Sequence, residues 1–89
     1  EVPYEVRLSR RADKQLDRIP DRYADRIMTA VLKLADEPYP GPSKRLAGRG
    51  PFRRLRVGNY RVFYSVFEPD KLITVDSLVR RTGTTYKDI

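Results

Sequence analysis

The chain has 89 residues, which is enough for one domain, residues 1–89, with one hydrophobic core. It contains no cysteine and no histidine, so disulfides are excluded and the usual general base and commonest metal ligand are absent. Lysine and arginine number 19 against 12 acidic residues, a net charge of +7. Such a charge favours a polyanionic partner, which could be nucleic acid, an acidic protein or a membrane surface, unless it serves only solubility. We expect neither a metal nor a cofactor.

The N-terminal part of the chain predicts one strand and two helices. Residues 4–9, YEVRLS, alternate in polarity as a half-buried strand does. Ser9 is suited to cap a helix over residues 10–19, which Pro20 ends. Asp21 is suited to cap a second helix over residues 22–37, where apolar residues recur at steps of three and four.

The remaining chain predicts a loop and three strands. Residues 38–51 are rich in proline and glycine and form the predicted loop. FRRLRV and YRVFYSVF flank Gly58-Asn59, a two-residue hairpin signal, and LITVDSLVRR follows the turn EPDK. The order predicts an α+β fold, with two helices on one face of a small, curved antiparallel sheet.

Targeting signals are not apparent in the sequence. No apolar run approaches the roughly 20 residues of a membrane span, and no secretory signal is visible. We therefore expect a cytoplasmic protein that does not contact a membrane.

The hairpin turn predicts which residues share a face of the sheet. A two-residue turn makes Val57 and Tyr60 the first opposed pair, and opposed residues point to the same face. The apolar face then consists of Leu55, Val57, Tyr60, Val62 and Tyr64. The opposite face, which we call the arginine face, consists of Arg54, Arg56, Arg61 and Phe63.

The last strand extends both faces if Phe67 lies opposite Leu72. Ile73 and Val75 then fall on the face of the helices. The arginine face receives Thr74, Asp76, Leu78 and Arg80. A slip of one residue would replace Arg80 by Arg81 on that face.

Two interpretations of the clustered arginines remain open. Like charges directly opposite each other on a sheet cost a few tenths to about 1 kcal/mol. In one interpretation the face is solvated, and the arginine stems cover Phe63 and Leu78. In the other the cluster receives an anion, because the planar guanidinium donates paired hydrogen bonds to phosphate.

Arginine and tyrosine side chains could promote the cleavage of RNA in which the 2′-hydroxyl of the RNA attacks the adjacent phosphate. The reaction requires a base, cations that stabilise the phosphorane and a proton for the departing oxygen. Arginine, with a pKa above about 12, is a poor base. Tyr86, whose pKa neighbouring guanidinium groups would lower, is the best candidate, unless it is only an exposed aromatic side chain of the tail.

The segment FRRLRVGNYRVFYSV, followed by VRR and TY, resembles the RelE/ParE superfamily of type II toxin–antitoxin toxins. The resemblance runs from about Tyr4 to the end of the chain, and RLRVGNYRVFY is its most specific part. It implies the same fold and a cognate antitoxin that wraps the toxin and blocks it. The RelE-like branch implies ribosome-dependent cleavage of mRNA in the A site.

The resemblance also implies which residues act in catalysis. They are Arg54, Arg56, Arg61, Arg80 and Tyr86, with Arg81 as the alternative to Arg80. Well-studied RelE-like toxins carry lysines at the first two of these positions. We further predict RNA contacts, against the alternative of mere solvation, at Lys44, Arg45, Arg49, Arg53, Phe63, Arg81 and Lys87.

The leading prediction is therefore a metal-independent mRNA endonuclease that inhibits translation, with the ribosome, mRNA and an antitoxin as partners. One alternative is a ParE-like toxin that poisons DNA gyrase by binding it. Another is an inactive relative that still binds its antitoxin.

Overall fold

The elements follow the predicted order in a computed structural model, which describes residues 2–81. They are strand β1 (Glu5–Leu8), helices α1 (Arg10–Asp17) and α2 (Asp21–Lys33), strands β2 (Ser43–Arg45), β3 (Phe52–Val57) and β4 (Tyr60–Phe67), a 3₁₀ turn (Glu68–Asp70) and strand β5 (Leu72–Arg80). None of the helices within residues 2–81 has the length and apolar character needed to cross a membrane.

The two helices begin differently. The Oγ atom of Ser9 accepts a hydrogen bond of 3.0 Å from the backbone N–H of Ala12, which confirms the predicted cap of α1. Such a cap contributes about 1 kcal/mol. The predicted cap of α2 is wrong: Pro20 occupies the capping position without a side-chain hydrogen bond, and Asp21 is the first helical residue. The carboxylate of Asp21 still interacts favourably with the positive end of the helix dipole.

The sheet has five strands in the order β1-β5-β4-β3-β2. The three predicted C-terminal strands pair in antiparallel fashion, as expected. In contrast, β1 pairs in parallel with β5, with Val6 opposite Ile73, so the sheet is mixed and not purely antiparallel. The polarity pattern of one strand carries no information about the direction of its partner.

Strand β2 lies inside the segment predicted to be a loop. It pairs with β3 over three residues, with Lys44 opposite Arg54. Gly48 and Gly50, at φ of 70° and 57°, help the chain to turn back from β2 to β3. The strand is too short to show a period-two pattern, and its residues acquire strand structure by hydrogen bonding to β3.

The core lies between the helices and one face of the sheet. Helix α1 packs on β5 and β1, and α2 packs on β3. Tyr64 is fully buried, and its hydroxyl donates a hydrogen bond of 2.8 Å to the carbonyl of Pro38. The buried hydrophobic residues are Ala12, Ile27, Val31, Leu34, Leu55, Tyr60, Val62, Tyr64, Val66, Ile73, Val75 and Leu78.

A β-bulge interrupts the pairing of β4 with β5. Tyr64 lies opposite Val75, whereas Phe63 lies opposite Ser77, so Asp76 is the extra residue. The residues of β5 beyond Asp76 therefore point to the face opposite to the one that strict alternation predicts. The prediction that Leu78 lies on the arginine face is wrong: it pairs with Val62 and is 5% exposed in the core.

Side chains of α1 and its cap cover the edge of β5 next to the bulge. Strand β1 ends at Leu8, opposite Val75, so within residues 2–81 no strand pairs with β5 on this side beyond that point. Ser9 Oγ donates a hydrogen bond of 2.6 Å to the carbonyl of Asp76, and Gln15 Oε1 accepts one of 2.6 Å from the N–H of Leu78. These bonds satisfy backbone groups that would otherwise lack a partner.

Candidate functional site

A groove of about 630 Å³ lies on the face of the sheet opposite the helices. We call it the arginine groove. Its polar lining consists of Arg49, Arg54, Arg61, Asp76, Ser77 and Arg81. Its apolar lining consists of Leu46, Ala47, Phe52, Phe63 and Val79.

The hairpin register positions the centre of the arginine groove. Arg54 lies opposite Phe63, and Arg61 lies opposite Arg56, as predicted from the two-residue turn. Leu55 and Val62 between them face the core. The pleat of the two strands therefore places Arg54, Arg61 and Phe63 on the same outer face.

Arg61 is held in a fixed orientation. It is only 8% exposed, and its Nη1 donates hydrogen bonds to the carbonyls of Gly58 (3.1 Å) and Tyr60 (3.0 Å). Both acceptors belong to the hairpin turn or its flank. An arginine fixed in this way loses less conformational entropy when it binds a ligand than a mobile one does.

The bulge decides which of the two consecutive arginines reaches the groove. Arg80 lies opposite Tyr60 and lines a different cavity, so the prediction that it shares the arginine face is wrong. Arg81, which the register left as the alternative, lines the arginine groove. Its backbone N–H donates a hydrogen bond of 2.6 Å to the carbonyl of Asn59, which ties the end of β5 to the hairpin turn.

Other predicted residues lie around the groove. Arg49 lines it directly. Arg56 is exposed opposite Arg61, so the register places it on the same face, but it lines a separate cavity beside α2 and not the arginine groove. Lys44 is exposed and lies opposite Arg54, so it extends the same positively charged face.

Arg53 and Arg45 are on the other face of the sheet. Arg53 pairs with both Tyr64 and Arg45. Its Nη2 donates a hydrogen bond of 2.9 Å to Ser43 Oγ, and its guanidinium carbon lies 4.9 Å from the centre of the Tyr39 ring. These two arginines therefore do not line the arginine groove, and their predicted contacts with RNA stay predictions.

The only large shift of a pKa among residues 2–81 lies outside the groove. The carboxylate of Glu68 accepts hydrogen bonds from the hydroxyls of Tyr39 and Tyr4. The bond to Glu68 raises the pKa of Tyr39 to about 12, and the bonds from Tyr39 and Tyr4 lower the pKa of Glu68. This cluster connects the 3₁₀ turn to the segment after α2 and to the N-terminal segment.

Two predicted site residues, Tyr86 and Lys87, lie outside the described residues, and their roles stay predictions. Residues 2–81 contain no group of three or more acidic side chains placed to hold a metal ion.

The charge of the groove suits an anionic ligand. Of the residues that the structure describes, four arginines line it, together with one carboxylate, that of Asp76. Within the described part of the chain, Arg49, Arg54 and Arg61 form no salt bridge. Their guanidinium groups can donate bidentate hydrogen bonds to phosphate, and Phe63 offers an aromatic surface on which a base can stack.

Sequence reasoning missed five residues that line the groove, Leu46, Ala47, Phe52, Ser77 and Val79. Phe52 has the same parity as Arg54, so the hairpin pattern carried a signal for it. Val79 is 38% exposed opposite Arg61. No local pattern could have placed it there, because its face depends on the bulge.

Comparison with known proteins identifies the family. The model for the ParE toxin of the type II toxin–antitoxin system parDE matches residues 6–83. A candidate toxin, RelE1 of Methanocaldococcus jannaschii, is 30% identical over 90 residues, which cover 98% of this chain and 99% of that protein.

Solved structures share the fold. In the archaeal RelE–RelB complex from Pyrococcus horikoshii OT3, the matching chain is 31% identical with a TM-score of 0.81, covering 91% of this chain and 98% of that one. A chain of the toxin–antitoxin complex RelBE2 from Mycobacterium tuberculosis is 24% identical, also with a TM-score of 0.81, covering 90% and 100%. The chain therefore belongs to the RelE/ParE superfamily of type II toxin–antitoxin toxins.

Proposed function

We propose that this protein is a cytoplasmic toxin that cleaves mRNA in the ribosomal A site. The observation that carries this proposal is the arginine groove, in which Arg54, Arg61, Arg81 and Phe63 line one cavity. Phosphate recognition by guanidinium groups and stacking of a base on an aromatic side chain are both typical of sites for single-stranded RNA.

The proposed reaction uses the RNA's own nucleophile. The 2′-oxygen attacks the adjacent phosphorus and forms a 2′,3′-cyclic phosphate, while the bond to the 5′-oxygen breaks and that oxygen takes a proton from water to give a 5′-hydroxyl. Arg54, Arg61 and Arg81 stabilise the negative charge that develops on the phosphoryl oxygens. We assign the base that removes the 2′-proton to Tyr86, because guanidinium groups beside a tyrosine would favour its phenolate form.

A cognate antitoxin is the proposed partner that keeps the protein inactive. Two related structures, from Pyrococcus horikoshii and Mycobacterium tuberculosis, are toxin–antitoxin complexes, which supports such a partner. The net charge of +7 would attract an acidic antitoxin segment as well as RNA.

Primer extension on stalled ribosomes tests the proposal. The purified protein is added to ribosomes stalled on a defined mRNA, and new 5′ ends are mapped with and without ribosomes. We expect a cut within the A-site codon only when ribosomes are present, and loss of that cut with Tyr86→Phe. An intact message with the unaltered protein would overturn the proposed activity.

The family model supports a second candidate, a ParE-like toxin that poisons DNA gyrase without cleaving RNA. Inhibition of supercoiling by the purified protein, with mRNA left intact, would select this candidate. A protein that binds its antitoxin but causes no growth arrest when expressed would instead be an inactive relative.

A further inference from the structure

A second, smaller cavity lies on the other side of the hairpin tip from the arginine groove. It has a volume of about 190 Å³, and we call it the tip pocket. Residues that line it include Tyr23, Arg26, Gly58, Asn59, Tyr60 and Arg80. Arg26 comes from α2 and Arg80 from the end of β5, so two distant parts of the chain bring their positive charges to one place.

The tip pocket carries positive charge without a compensating carboxylate. No acidic residue belongs to its lining within residues 2–81, and in that range neither Arg26 nor Arg80 forms a salt bridge. A Cβ atom added at Gly58 would lie 3.8 Å from Nη2 of Arg26, so this guanidinium reaches the turn itself. Two guanidinium groups beside one cavity repel each other unless an anion lies between them.

Aromatic side chains form another wall of the tip pocket. The rings of Tyr23 and Tyr60 are 5.8 Å apart and inclined at 44°. Tyr60 is 8% exposed and belongs to the core, which makes this wall rigid. Rigid walls and exposed cations together favour a ligand that brings its own negative charge.

We propose that the tip pocket binds a phosphate of the RNA backbone, separately from the phosphate in the arginine groove. The β-bulge gives Arg80 to the tip pocket and Arg81 to the groove, so two consecutive arginines bind the RNA from opposite sides of the hairpin tip. The hydrogen bond from the N–H of Arg81 to the carbonyl of Asn59 holds the two sites in a fixed relation. This inference rests on the proposed RNA-directed function but not on cleavage.

The experiment measures the binding of a short, fluorescein-labelled oligouridylate by anisotropy over a series of KCl concentrations. It compares the unaltered protein with the double variant Arg26→Gln/Arg80→Gln. The control is Arg10→Gln/Arg11→Gln, which removes the same charge from exposed positions on α1. Circular dichroism checks that every variant is folded, and Arg26→Gln alone provides a milder variant because Arg26 is exposed on its helix.

We expect the double variant to bind more weakly and with a smaller salt dependence. For single-stranded nucleic acid, the slope of log K against log salt changes by about 0.7 for each phosphate contact removed. The control should leave the slope nearly unchanged. Equal slopes for the double variant and the control would overturn the proposal.

An acidic peptide, oligoglutamate, serves as the competing probe. If the double variant loses binding to oligoglutamate while its binding to oligouridylate is unchanged, the tip pocket is a protein-binding site and the RNA assignment is wrong. The result is distinct from that of the cleavage assay. A protein that never cuts mRNA but shows the smaller salt slope would retain the tip pocket and lose only the proposed activity.

Discussion

The two faces of the central hairpin are built from alternate residues of the same strands, yet they differ in almost every property. On one face Leu55, Val62 and Tyr64 are sealed beneath the helices. On the other, Arg54 and Arg61 line an open groove. Burial of one large apolar side chain contributes about 1.5–3 kcal/mol, whereas a like-charge pair on a sheet costs up to about 1 kcal/mol. Burial on the core face can therefore offset the cost of like charges on the groove face.

The same contrast explains why a single extra residue matters. Without the bulge at Asp76, the alternation of β5 would expose Leu78 and direct Arg80 into the groove. With it, Leu78 is buried and Arg81 takes the groove position. A bulge re-aims every side chain beyond it, so one local irregularity assigns residues to two different faces.

The largest expected effect tests the core face. Tyr64→Ala should lower the free energy of unfolding by about 3–5 kcal/mol, because it leaves a cavity at a fully buried position. Tyr64→Phe should cost about 1–3 kcal/mol, because the Pro38 carbonyl loses its hydrogen-bond donor. Urea denaturation measures both. The control, Phe67→Ala on the same strand, is 53% exposed and should cost under about 1 kcal/mol; a loss equal to that of Tyr64→Ala would break the contrast between faces.

Neighbouring arginines on opposite faces of β3 provide the second test. Arg54→Gln should lower the rate of ribosome-dependent cleavage by about 10²–10³-fold, the usual loss when one charge-stabilising donor is removed. Arg53→Gln should change that rate little, because its guanidinium contacts Ser43 and Tyr39 away from the groove. Primer extension over time measures both rates. Equal losses of cleavage rate would show that the face on which an arginine lies does not determine whether it acts in cleavage.

The third test separates Arg81 from Arg80 by kinetics. Arg81→Gln should lower the maximal single-turnover rate by about tenfold or more, since it removes charge stabilisation in the groove. Arg80→Gln should instead raise the substrate concentration needed for half of the maximal rate. Single-turnover reactions at increasing concentrations of programmed ribosomes distinguish the two effects. A loss of maximal rate with Arg80→Gln alone would mean that the bulge does not assign the residues as we infer.

The smallest expected effect concerns the Tyr39–Glu68 cluster, outside both faces. Hydrogen bonds lower the pKa of Glu68 from about 4.5, so their stabilisation is present above that pH and is lost as the pH falls through the lowered value. The raised pKa of Tyr39 adds stability that is present below about pH 10 and is lost as the pH rises through about 12. Tyr39→Phe should therefore weaken both pH dependences.

Urea midpoints measured across acid and alkaline pH test this expectation. Tyr23→Phe is the matched control, because the Tyr23 hydroxyl is bonded to Arg22 and not to a carboxylate. If Tyr39→Phe and Tyr23→Phe give the same pH profile, the cluster does not contribute to the pH dependence of stability.

Much of the fold could be predicted from the sequence, because its signals are local. The period-two pattern and Gly58-Asn59 were sufficient for the register of β3 with β4, and Ser9 marked the start of α1. The face that carries Arg54, Arg61 and Phe63 followed from that register alone. The family resemblance agreed with this arrangement and is confirmed by the comparisons.

Only the tertiary structure decided the short strand β2, the parallel pairing of β1 and the assignment of Arg80 and Arg81 to different cavities. Each depends on backbone hydrogen bonds between two strands, which the pattern within one segment does not specify. The bulge illustrates this dependence, because Ser9 and Gln15 of the N-terminal region form hydrogen bonds with the backbone groups of Asp76 and Leu78 at the edge of β5. A periodic pattern describes how a strand alternates, but distant partners determine where that alternation is broken.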